Sequence, residues 1–121
     1  LASDPKHINP ERGEIWLVDL EPTRGSELQK NRPMVVLSSN TIRSLPVRVA
    51  VPLTGWQEQF QSSPWKVHID PDADNKLTKS SAADALQLRC LSLDRFSKRL
   101  GVLPKSTIEE IIFAINYCLE E

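Results

Sequence analysis

Along most of this chain, hydrophobic and polar positions alternate in short runs; only at the C-terminal end do they recur in threes and fours. Glu14-Ile15-Trp16-Leu17-Val18-Asp19-Leu20 is aromatic and β-branched, and Glu21-Pro22-Thr23-Arg24-Gly25 ends it, so it predicts a strand. Gly25 to Asn31 is polar and aperiodic, a loop. Pro33 to Ser38 predicts a second strand, with proline tolerated at its first position, and Ser39 to Pro46 connects it onward. Val47 to Val51 forms a third strand that runs into Pro52-Leu53-Thr54-Gly55. The polar stretch Gln57–Pro64, with a single Phe, predicts a mobile loop. Lys66 to Asp70 is a fourth strand, closed by the turn residues Pro71-Asp72-Ala73-Asp74-Asn75. Ala83 to Leu91 alternates as one strand, with Asp84, Leu86, Leu88 and Cys90 on one face and Ala85, Gln87, Arg89 and Leu91 on the other. Lys98 to Leu103 is a shorter strand interrupted by Gly101.

The period then changes. Ser106-Thr107-Ile108-Glu109 fits a capping box, and Ile108, Ile111, Ile112, Ile115, Cys118 and Leu119 fall on one face of a helix over about 106–119. Five or six short strands followed by one amphipathic helix predict a mainly β fold: a small, curled, barrel-like sheet with the helix packed on it.

Composition adds bounds rather than detail. The 121 residues suffice for one domain with one core, here 12–121, after an N-terminal arm over 1–11 with little structure of its own. No apolar run approaches a membrane span, and the first residues lack the apolar h-region of a signal peptide. Cys90 and Cys118 have no CxxC or metal spacing and read as reduced core thiols of a cytoplasmic protein. His7 and His68 are too sparse for a metal site, so no cofactor is expected. Net charge is −1, which by itself points to no nucleic-acid partner. Its distribution says more. Between Pro22 and Gln57, five basic residues (Arg24, Lys30, Arg32, Arg43, Arg48) face one acid, Glu27, whereas the last sixteen residues carry four glutamates and no base. A locally basic surface can collect a polyanion even on a neutral protein.

GEIWLVDLEPTRGSE, then RPMVVLSSN, then VAVPLT, then ALQLR and the closing helix, in that order from about Arg12 to the C-terminus, resemble the MazF/PemK-type toxins of toxin–antitoxin systems. The resemblance implies an SH3-like barrel of five to seven strands with a C-terminal helix, acting as a homodimer. It implies a metal-independent, sequence-selective endoribonuclease that cuts single-stranded RNA, mainly mRNA, and that an acidic antitoxin blocks. By the same resemblance Arg32 is the catalytic Arg of an R-P pair and Thr54 its partner. Gly25, Ser26 and Glu27 help line the substrate cleft, and Gln87 and Arg89 lie on a later substrate-binding strand. One position departs from the pattern: Leu86 stands where the family commonly has an acid.

The chemistry suits these residues. RNA carries its own nucleophile, the 2′-OH, and its attack on phosphorus builds negative charge on the nonbridging oxygens. A guanidinium matches those oxygens with a planar fork of donors and stays protonated, and a threonine hydroxyl adds a neutral donor. The proton-transfer groups stay unassigned: Glu27 is the nearest carboxylate in sequence, and His68 is a lone strand histidine outside the matched positions. Without the resemblance, Arg32 reads as a surface charge and Thr54 as turn chemistry. Trp16 reads as core. Trp56 and Trp65 flank the 57–64 segment, either stacking RNA bases or simply tucked onto the sheet. Two rival functions remain on the same fold: a non-catalytic poison of DNA gyrase like the CcdB-type proteins, and a non-catalytic RNA-binding module.

Overall fold

In the computed structural model, residues 8–20 and 31–120 are described. Seven antiparallel strands form one sheet: β1 (Glu14–Asp19), β2 (Asn31–Val36), β3 (Val47–Gly55), β4 (Lys66–Ile69), β5 (Ser81–Asp84), β6 (Arg89–Ser92) and β7 (Phe96–Val102). The order is β4-β5-β3-β2-β1-β7, with β6 also paired to β3. A single α-helix among the described residues, α1 (Lys105–Leu119), follows. The mainly β architecture with a C-terminal helix is as expected. The sheet curls without closing, because among the described residues its end strands β4 and β7 do not pair.

Strand alternation sorts the side chains into two cores. Ile15, Val35, Val51, Leu53, Val67, Ile69 and Ala83 point to one face, where Ile108, Ile111 and Ala114 of α1 cover them. Trp16, Val18, Met34, Val36 and Ala50 point to the other, with Leu91 and Phe96 closing over them. Trp16 is therefore core, and its indole N–H donates to Glu14 Oε1 at 2.8 Å. Of the expected arm, Ile8 packs against the second cluster and Pro10 is fully buried.

Several local expectations change. The single strand over Ala83–Leu91 is broken by a 3-10 turn, Ala85–Gln87. Leu53 pairs with Ala83, but three residues back along β3 Ala50 pairs with Arg89, six residues further on, so three extra residues are looped out. Asp84 organises the break, its Oδ1 accepting from Leu86 N at 3.1 Å. An odd insertion exchanges the two faces. Arg89 and Leu91 therefore share a face with Asp84, and Cys90 is turned outward. Cys90 is exposed and Cys118 half-buried, both free, so Cys90 is not a core thiol.

The segment expected to be a mobile loop holds a 3-10 turn, Glu58–Ser62, whose Phe60 ring packs edge-on against Trp56 at 5.6 Å. The capping box does not form. The helix begins one residue before Ser106, its N-cap is Pro104, and the Pro104 carbonyl takes the first N–H groups, those of Thr107 and Ile108. Gly101 does not interrupt β7. It lets the turn after β4 cross the strand, since a Cβ there would overlap the Asn75 carbonyl. Asn75 is itself buried; its amide donates to Asp70 O and its Oδ1 accepts from Asp72 N and Leu77 N.

Candidate active site

The site lies on the sheet face opposite α1. Val18 pairs with Arg32 across β1 and β2. The β2–β3 ladder ends at Met34↔Pro52. Pro33, the next residue of β2 to face β3, has no N–H to extend it, so the ladder stops there. Carried two residues further, the register sets Arg32 abreast of Thr54, on the face that bears Met34. Thr54 pairs with Ala82, and Ala82 with His68. One row therefore crosses four strands, Arg32–Thr54–Ala82–His68, and its cation and hydroxyl flank the opening where the ladder stops.

The electrostatics of the row are uneven. Arg32 is half-buried, and no ion pair among the described residues engages it. Thr54 Oγ1 is buried with no hydrogen-bond partner, alone in this among the described side chains. A buried hydroxyl without a partner costs about 1–3 kcal/mol, a cost that a bound acceptor such as a phosphate oxygen would remove. One row along, Asp84 Oδ2 accepts from Lys66 Nζ at 3.2 Å, both side chains being largely buried, and the same ammonium lies 4.1 Å over the Phe60 ring. His68 Nε2 faces Asp70 Oδ1 at 3.2 Å, and the imidazole stacks on Trp56 with ring centres 4.1 Å apart.

The other expected site residues are placed less centrally. Gly25, Ser26 and Glu27 lie outside the described residues. Gln87 is exposed at the end of the 3-10 turn, as is Leu86 before it. Arg89 is exposed on the site face beside Ala50, about 13 Å along β3 from Thr54. Trp65 turns away to pack beside the helix-side core. No group of three or more His, Cys, Asp and Glu side chains is clustered for a metal among the described residues.

The basic segment is not a uniform basic surface. Arg48 is buried, donating to the carbonyls of Pro10, Arg43, Leu45 and Val47 and to Asn9 Oδ1. Burial, and then the Arg43 charge, push its pKa down. Arg43 itself pairs with Glu11 at 3.0 Å. Arg24 and Lys30 lie outside the described residues. Arg48 is thus a staple between β3 and the N-terminal segment, while Arg32 is the cation of the segment that, among the described residues, stands outside any ion pair. The sequence alone did not reveal the Lys66–Asp84 and Trp56–His68 pairs. The alternation of Val67, His68 and Ile69 was the available signal, and it placed His68 opposite the core.

The PemK-like, MazF-like toxins of type II toxin–antitoxin systems match residues 11–119 of this sequence. The chain belongs to that family. It is 31% identical to the endoribonuclease PemK of Escherichia coli, over 90% of this chain and 81% of that one. It is 29% identical to the endoribonuclease MazF9 of Mycobacterium tuberculosis, over 90% and 95%. Among solved structures, a mycobacterial endoribonuclease in complex with its cognate antitoxin superposes with a TM-score of 0.70 at 26% identity, covering 91% of this chain and 94% of that one.

Proposed function

We propose that this chain is the toxin of a toxin–antitoxin pair, an endoribonuclease that cuts single-stranded RNA by attack of the RNA's own 2′-OH. Arg32 and Thr54 are its catalytic residues. The observation that carries this site is the buried, unpartnered Thr54 hydroxyl abreast of a guanidinium without an ion pair among the described residues, at the point where the β2–β3 ladder stops. The O2′–P bond forms as the P–O5′ bond breaks. The 2′-OH loses its proton and O5′ gains one, leaving a 2′,3′-cyclic phosphate and a 5′-hydroxyl. Arg32 binds the nonbridging oxygens as charge builds on them, and Thr54 donates to the same phosphate. A single preorganised donor of this kind is worth about 10²–10³ in rate.

Gly25, Ser26 and Glu27 complete the cleft in this reading, and Gln87 and Arg89 bind the strand further along β3. The active form is a homodimer in the cytoplasm. No helix among the described residues is long and apolar enough to cross a membrane. In this reading an acidic antitoxin occupies the same opening; the mycobacterial relative was solved in complex with its own cognate antitoxin. Purified protein incubated with a long RNA in EDTA should give discrete fragments with 5′-hydroxyl ends. Intact RNA together with stalled gyrase would instead establish the gyrase-poison alternative.

A further inference from the structure

The site face carries a second feature in register with the first. His68 stands two strands beyond Thr54, through Ala82, a span of about 10 Å. At that spacing His68 stands apart from the phosphate held by Arg32 and Thr54, and its imidazole is engaged by Asp70 and Trp56. Trp56 and His68 lie nearly parallel, 7° apart, with ring centres 4.1 Å apart. Phe60 braces the indole edge-on, and Lys66, held by Asp84, lies over Phe60. Three side chains from three segments, Phe60, Lys66 and Asp84, thus back one ring pair. With one imidazole face covered by Trp56, the 44% of the His68 side chain that remains exposed lies on its other face and edge.

The geometry points to a nucleobase subsite: the Trp56–His68 stack is a ledge on which an unpaired RNA base, neighbouring the phosphate at Arg32 and Thr54, is held by stacking. This rests on the endoribonuclease reading of the same face. The charges around the ledge favour a base over a further phosphate. The Asp70 carboxylate, 73% exposed, faces His68 Nε2 and would repel a phosphate, whereas a base presents a neutral π-face. Aromatic platforms hold unstacked bases of single strands in this way. Braced rings lose little freedom on binding, so the ledge favours one nucleotide position in the substrate without touching the reacting atoms.

The test compares the parent with His68→Ala, Trp56→Ala and His68→Phe. Cut positions on a long transcript are mapped by 5′-end sequencing, and binding of a fluorescein-labelled 2′-O-methyl RNA pool, which lacks the nucleophile, is followed by anisotropy. The alanine variants should lower kcat/KM and weaken pool binding by about 5- to 150-fold. They should also lose base preference at one position flanking the cut, and His68→Phe should restore both. If Trp56→Ala does not fold, as its thermal melt will show, His68→Ala carries the comparison. A parent that binds the pool but leaves RNA uncut ends the nuclease reading while the ledge stands, provided the variants weaken binding. A parent that does not bind the pool, or alanine variants with parental binding and parental preference, overturns the ledge.

Discussion

Thr54 is where stability and function pull apart. Its hydroxyl is buried without a partner, an arrangement that costs folding energy in the free protein. Thr54→Val keeps the shape and removes the polar atom. It should raise the unfolding free energy by about 1 kcal/mol in denaturant titration, while cleavage of RNA falls by at least about tenfold. Loss of both stability and activity would assign Thr54 an ordinary structural role. Glu14 shows the opposite pattern. Burial works to raise its carboxyl pKa, but hydrogen bonds from the Trp16 indole, the backbone of this segment and Arg99, with the Arg99 charge, outweigh it and hold the pKa below its ordinary value of 4.5. A carboxyl with a depressed folded pKa adds stability above its ordinary value and loses it as pH falls through the folded one. Glu14→Gln should therefore be less stable than the parent by about 1–2 kcal/mol near neutral pH, and the gap should close in acid. A gap independent of pH would contradict this.

At the scale of elements, two joints position the site. The 3-10 turn after β5 is set by Asp84, which bonds Leu86 N on one side and Lys66 on the other. The turn after β4 is set by Asn75, and β7 passes beneath it only because residue 101 has no Cβ. Gly101→Ala forces the Asn75 backbone to move and should cost about 1–3 kcal/mol, read from the shift in urea midpoint at unchanged slope. The strands and helix were legible because apolar alternation and three-four spacing record which face is buried. The break at Ala85–Gln87 was not, because a period-two pattern continues unaltered through inserted residues while the faces it denotes exchange. The capping box failed for a related reason: Pro104 supplies the first carbonyl before Ser106 is reached. In the site, the residue types at Arg32 and Thr54 were legible only through family resemblance. Their alignment, and that of His68, depends on cross-strand register, which no single segment encodes.

Across the whole molecule, the sheet divides labour between its faces. One binds α1 and supplies the larger core; the other carries the Arg32–Thr54–Ala82–His68 row and a smaller core. Among the described residues, the positive charge concentrated between Pro22 and Gln57 is partly withdrawn from the surface, because Arg48 is consumed internally and Arg43 is paired. Among the described residues, Arg32 and Arg89 are then the cations this reading gives the substrate. Cleavage should fall with salt less steeply than for proteins that neutralise many phosphates, a trend readable from kcat/KM at rising ionic strength. The most direct test of the account is single-turnover cleavage of one mapped site by the parent and by Arg32→Ala, with folding checked by thermal melt. The account predicts an intact fold and a rate about 10²–10³ lower, with the cut position unchanged. A folded Arg32→Ala protein that cuts at the parental rate would contradict it.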